Sequence, residues 1–141
     1  MNDKNIFVET KLKNFDEAID FISNYAFKIG FSNNKEMIKE DILSREKEMN
    51  TCLLEPFAIP HAKSESVVKS GIFILRNNQF IDWNGKKAKI MVVILSKKGE
   101  NKKHIEQLSV ISRKLVHEDF RNMLLNADVD EIITKLKNME V

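Results

Sequence analysis

An α/β layered domain is the fold class this sequence predicts, and three observations predict it. Two helical patterns precede residue 50, a helical pattern resumes after residue 100, and short apolar runs lie between them. One of those runs, Lys89-Ile90-Met91-Val92-Val93-Ile94-Leu95, is nearly continuous and rich in branched residues. That is the mark of a central strand covered on both faces. Helices, strands and helices again around one buried strand make a layered arrangement. A chain of 141 residues fits one domain with a core large enough to fold unaided, so residues 1–141 are read as a single domain.

Taken in order, Ile6-Phe7-Val8 is a short strand candidate. Phe15, Ala18, Ile19, Ile22, Ala26 and Ile29 recur at helical spacing from Asn14 to Gly30, with Asn14 as N-cap and Gly30 as the stop. A second helix starts at Asn33 or Asn34 and runs to about Glu48, its apolar stripe being Met37, Ile38, Ile42 and either Leu43 or Met49. Gly71-Ile72-Phe73-Ile74-Leu75 reads as a strand, Arg76-Asn77-Asn78-Gln79 as a turn, and Phe80-Ile81 as the start of another strand. Asn84-Gly85 is a hairpin signal leading into the central run. Trp83 beside it reads as a packing residue. From Asn101, Ile105, Leu108, Val110 or Ile111, and Leu115 line one helical face. His117-Glu118-Asp119 breaks that helix, Phe120, Met123 and Leu124 form a short helical patch, and Asp128 caps a last helix with Ile132, Ile133 and Leu136.

Composition narrows the function. Apolar residues at 43% and charged residues at 31% are ordinary for a globular protein. The net charge of +2 is too small, and the lysines too interleaved with acids, to argue for nucleic acid. No apolar run approaches the roughly 18 residues that span a bilayer, and Met1-Asn2-Asp3-Lys4-Asn5 lacks the layout of a signal peptide. The single cysteine, Cys52, excludes an intramolecular disulfide and a cysteine zinc cluster and reads as a small buried apolar residue. A cytoplasmic location follows as the expectation. There is no phosphate-binding glycine loop of the kind that cradles ATP. No His-x-His or His-Glu-x-x-His spacing points to a metal.

Function concentrates in Glu55-Pro56-Phe57-Ala58-Ile59-Pro60-His61-Ala62-Lys63-Ser64, which contains both prolines of the chain. Each proline fixes its own φ and pushes the residue before it toward extended geometry, so Glu55 and Ile59 should be extended. Phe57, Ala58 and Ile59 can anchor the segment in the core, presenting His61 from a rigid platform. An imidazole near its unperturbed pKa of about 6.5 is both nucleophile and base at neutral pH. From its neighbours alone, however, His61 reads more readily as a turn histidine capped by backbone groups.

Ala58-Ile59-Pro60-His61-Ala62-Lys63 resembles the active-site motif of the enzyme IIA domains of the fructose–mannitol type, components of the phosphoenolpyruvate-dependent sugar phosphotransferase system. The resemblance runs from about Lys35 to Leu136. Outside the hexapeptide it rests on Arg45-Glu46, Thr51, His104 and the terminal helical pattern. One departure is Pro56, where the family usually has glycine.

The resemblance implies a mixed β-sheet between helices on both faces, no cofactor and no metal. It implies that His61 accepts a phosphoryl group from the histidine phosphocarrier protein HPr and passes it to a cysteine of the enzyme IIB component. Arg45 matches the arginine of the family's Arg-Glu pair; a guanidinium stays charged and can hold two phosphoryl oxygens at once. Its structural alternative is an ion pair with Asp41, four residues earlier. His104 matches the second histidine, a hydrogen-bonding partner of the phosphoryl group at a helix start where free amides favour an anion; its alternative is a surface histidine in a lysine-rich loop. Thr51, Lys63 and Glu65 are within plausible reach of the site, and His117 is assigned no role. The expected function is therefore a phosphoryl carrier for sugar uptake, with HPr and enzyme IIB as partners, no nucleic acid and no membrane insertion. Two alternatives stand beside it: a regulatory relative that signals by phosphorylation-dependent protein binding, and a non-catalytic binding domain with a structural His61.

Overall fold

The central apolar run becomes the spine of the molecule. In the computed structural model, which describes residues 6–138, it lies within strand β5 (Lys86–Lys97). Ile90, Val92 and Ile94 point to one face, Met91, Val93 and Leu95 to the other, and all six are fully buried. Burying such a side chain is worth about 1.5–3 kcal/mol, so this strand belongs at the centre. The segment examined for a leader, Met1 to Asn5, lies outside the described residues.

Around β5 stand β1 (Phe7–Thr10), β2 (Phe57–Ala58), β3 (His61–Ser64) and β4 (Gly71–Trp83). β4 pairs antiparallel with β5 through Asn84 and Gly85. Both turn residues have positive φ, 51° and 96°, as a tight hairpin turn requires. The other side of β5 is paired in parallel by β2 and then β3, in tandem, and β1 adds in parallel to β4. The sheet is therefore mixed, as expected.

Helices α1 (Phe15–Lys28) and α2 (Lys35–Glu48) cover one face. Ile19, Ile22, Ile38 and Ile42 pack there with Phe73, Met91 and Val93. Helices α3 (Asn101–Leu115), α4 (Glu118–Asn126) and α5 (Val129–Lys137) cover the other. Ile111, Leu115, Leu124, Ile132 and Leu136 meet Ile74, Ile90 and Val92 there. The expected N-caps form: Asn14, Asn34 and Asp128 accept from the amides of Glu17, Met37 and Glu131 at 2.9, 3.0 and 2.8 Å.

Three expectations change. The turn placed at 76–79 and the separate strand at 80–81 are one strand, β4, with a register shift between Arg76 and Ile81. Fully buried Asn77 holds this irregularity together. Its Oδ1 accepts from Thr10 Oγ1 (2.9 Å) and Leu12 N (2.6 Å), and its Nδ2 donates to Leu12 O (2.8 Å) and Gln79 O (3.0 Å). Residues 54–57 form a tight turn closed by Phe57 N–H on Leu54 O (2.8 Å), with a cis Glu55-Pro56 bond. On α2, Met37 and the flanking Met49 are exposed, and Glu46 takes a place on the buried stripe instead. On α3 the buried face is His104, Gln107, Ile111 and Leu115, leaving Ile105 65% exposed.

Candidate functional site

His61 opens β3 immediately after Pro60, whose carbonyl accepts from Ile94 N (3.1 Å) and ties the segment to the spine. Its register partner on β5 is Ile94. Ser96, two residues further along β5, faces the α3 side with Ile90, Val92 and Ile94 and meets His104 there. The site thus sits at the carboxyl end of β5, where α3 begins. That is where open α/β sheets commonly place ligand crevices.

The structure brings the three expected residues together. Arg45, His61 and His104 line one open depression of ≈ 530 Å³ with Asp41, Ser44, Glu48, Ala62, Lys63 and Leu108. The two imidazole rings lie 5.4 Å apart, centroid to centroid, at an interplanar angle of 43°. Arg45, in the last turn of α2, donates through Nη1 to Met49 O (3.2 Å), and its Nε stands 4.0 Å from Glu48 Oε2. Its acidic neighbour is Glu48 rather than Asp41.

His61 Nδ1 lies 2.7 Å from Ile59 O. A carbonyl only accepts, so Nδ1 carries the ring proton and Nε2 of the neutral ring keeps its lone pair. Burial lowers the pKa of His61 below its ordinary 6.5; the charge of Arg45 acts in the same direction, while the Ile59 hydrogen bond and Glu46 oppose it. The ring is therefore a neutral nucleophile near pH 7. His104 is pushed down to about 4, by burial first and then by His61, Lys63 and Arg45. Its Nδ1 is 2.8 Å from Ser96 Oγ, which in turn donates to Gln107 Oε1 at 3.3 Å. The backbone N–H of His104 is not free, since it donates to Glu100 O (3.1 Å).

The remaining candidates separate. Lys63 borders the depression and donates through Nζ to Asn101 Oδ1 (3.0 Å). Glu65 points away, paired with Lys98 at 3.6 Å. Thr51 is buried behind His61: its hydroxyl donates to Glu46 Oε2 and accepts from Ile59 N (3.2 Å). Cys52 is fully buried and its thiol is pushed up to about 11, chiefly by burial. His117 is the N-cap residue of α4 and makes no side-chain cap bond. Among the described residues no cluster of His, Cys, Asp and Glu is arranged to hold a metal, and no helix is long and apolar enough to cross a membrane.

Glu46, Ser96 and Gln107 were not singled out as site residues, yet the structure sets Ser96 against His104, Gln107 against Ser96, and Glu46 against Thr51. Each carried a signal in its spacing. Glu46 falls four residues after Ile42 on the buried stripe of α2. Ser96 continues the alternation of Ile90, Val92 and Ile94, and Gln107 falls four residues before Ile111.

Comparison with known proteins gives the family. The family model described as phosphoenolpyruvate-dependent sugar phosphotransferase system, EIIA 2, matches residues 1–139. The chain is 34% identical over 134 residues to a PTS system fructose-specific EIIABC component of Bacillus subtilis, covering 93% of this chain and 21% of that protein; it thus spans about a fifth of that relative. It is 32% identical over 119 residues to a PTS system fructose-specific EIIA component of Haloferax volcanii, covering 82% of this chain and 77% of the relative. The crystal structure of IIA mannitol from Escherichia coli superimposes with a TM-score of 0.77 at 25% identity, over 96% of this chain and 98% of that one.

Proposed function

The chain belongs to the EIIA 2 family of the phosphoenolpyruvate-dependent sugar phosphotransferase system, and from that premise we propose that it carries a phosphoryl group on Nε2 of His61. The observation behind this is the hydrogen bond that commits Nδ1 to Ile59 O and leaves Nε2 bare in a depression shared with Arg45 and His104. The donor is the phosphohistidine of HPr and the acceptor a cysteine of an enzyme IIB component, with transfer in the cytoplasm and sugar uptake as its outcome. Residues 1–141 act as one IIA domain in this scheme.

The lone pair of Nε2 attacks phosphorus as the P–N bond to the carrier histidine breaks, and the carrier ring leaves with that electron pair. Phosphoryl transfer asks the protein mainly for position and for fixed positive charge. Position comes from the Pro60 segment pinned to β5. Arg45 supplies the charge, turning its guanidinium from Met49 O toward the phosphoryl oxygens. A phosphoryl group beside His104 favours its imidazolium, so the pKa of that ring rises from about 4 as the dianion arrives. Its Nδ1–H is received by Ser96, and Nε2–H becomes a donor to the phosphoryl oxygens. In the onward step the phosphorus passes to the IIB sulfur and the Nε2 lone pair is restored.

Incubation with phosphoenolpyruvate, enzyme I and HPr should add one acid-labile phosphoryl group per chain. His61→Ala should take up none while keeping the circular-dichroism spectrum of the parent. Full labelling of the alanine variant would overturn the assignment.

A further inference from the structure

We infer that Glu46, acting through Thr51, is a positioning residue that locks His61 in the tautomer whose phosphoryl-accepting nitrogen is bare; this rests on the function proposed above and deepens it. Glu46 is only 6% exposed, and a buried carboxylate is costly unless donors surround it. It has three: Thr51 N at 3.1 Å, the Thr51 hydroxyl, and the indole N–H of Trp83 at 3.1 Å.

A carboxylate can only accept, so the one hydrogen of the Thr51 hydroxyl is committed to it. The Thr51 oxygen is then left as an acceptor for Ile59 N–H at 3.2 Å. Ile59 is thus held at its amide from one side. From the other, Pro60 restricts it to extended backbone. With both constraints in place, the Ile59 carbonyl has one direction available, onto His61 Nδ1 at 2.7 Å. Each donor from His61 through Ile59 and Thr51 points toward Glu46. The coupling is one of position, because the N–H and C=O of Ile59 belong to different peptide units.

The carbonyl matters most during transfer. As Nε2 bonds to phosphorus the ring acquires imidazolium character, Nδ1–H becomes more acidic, and its bond to Ile59 O strengthens. An acceptor fixed in advance on that line stabilises the transition state more than the ground state. Without Thr51 the Ile59 amide loses its partner, the carbonyl can swing, and the Nε2–H tautomer, which cannot attack phosphorus, becomes populated.

Thr51→Val carries the test, since it removes the hydroxyl and keeps the side-chain shape; Thr51→Ser retains the hydroxyl, and Glu46→Gln is an independent break. The tautomer of His61 is read directly from ring 15N shifts above its pKa, with no phosphorylation needed. Wild type and Thr51→Ser should show the Nδ1–H pattern. Thr51→Val and Glu46→Gln should show a mixed pattern and phosphorylate about 10-fold more slowly, at the low end of the effects seen when partners that orient metal-bound histidines are removed. A folded Thr51→Val with an unmixed Nδ1–H pattern would overturn the inference, whether its transfer rate is wild-type or slow. Should Thr51→Val not fold, the same pattern in Glu46→Gln decides. Failure of the wild type to accept phosphoryl would end the carrier assignment and leave the tautomer result to stand on its own.

Discussion

Arg45 shows how differently two residues of one short motif can be deployed. It reaches outward to Met49 O and Glu48 at the rim of the depression, whereas Glu46, next in the chain, turns inward to three buried donors. In the function proposed above, Arg45 exchanges these outward contacts for the phosphoryl oxygens. Arg45→Lys keeps the charge but not the planar two-pronged donor, and it should fold normally. Phosphorylation by HPr should slow by about 10²–10³, the scale found when one transition-state donor is deleted; a stopped assay with labelled phosphoenolpyruvate measures it. A wild-type rate would leave Arg45 as a surface partner of Glu48. His61 and Arg45 were legible because a short motif names them. Gln107 was not, and Glu46, although named beside Arg45, was not read as buried, because helical periodicity counts apolar residues and treats a carboxylate or amide on the stripe as an interruption.

At the scale of elements, the same blindness rotated α3. Its buried face begins with two polar residues, His104 and Gln107, so the apolar pattern passed to Ile105, which stands in solvent. The polar residues are inward because Ser96 offers them partners from the end of β5. In β4, Arg76-Asn77-Asn78-Gln79 has turn chemistry, but the strand continues and the asparagine closes the irregularity with side-chain bonds. Those bonds reach 65 residues back in the chain, to Leu12, a partner that local pattern cannot supply. Asn77→Ala would leave the Leu12 and Thr10 groups without it, and each unsatisfied buried group costs about 1–3 kcal/mol. We expect a loss of about 2–4 kcal/mol in urea unfolding, inside the range that marks a broken buried network, with the His61 site still able to accept phosphoryl below the transition. The helices with side-chain N-caps and the spine strand were, by contrast, plain from caps and periodicity alone.

For the whole molecule, two buried neutral histidines couple folding to acid. His104 takes its proton at about 4 when folded and near 6.5 when unfolded. Between those values the unfolded chain binds more protons, so stability is full above about 6.5 and falls as the pH drops through this window. His61, also lowered, acts in the same sense. The urea midpoint should therefore be lower at about pH 5 than at about pH 7, and His104→Gln should shrink that difference. An unchanged difference in the variant would move the acid sensitivity to other groups. Layering and a central β5 covered on both faces followed from the alternation of long and short periodicities, which is a property of the whole chain, whereas the order of the strands around it did not. What also did not follow was which polar residues the layers would trap.

The tandem arrangement of β2 and β3 along β5 has one more effect. The outer border of the sheet on that side is a two-residue strand and a four-residue strand separated by Ile59 and Pro60. A long unbroken border would offer a row of free amides and carbonyls to another chain, the usual route to edge-to-edge aggregation. Pro60 has no N–H to offer, Pro56 lacks one just upstream, and Lys63 places a charge on the last segment. The interruption that sets His61 at the start of its own strand also makes this border a poor template for self-association.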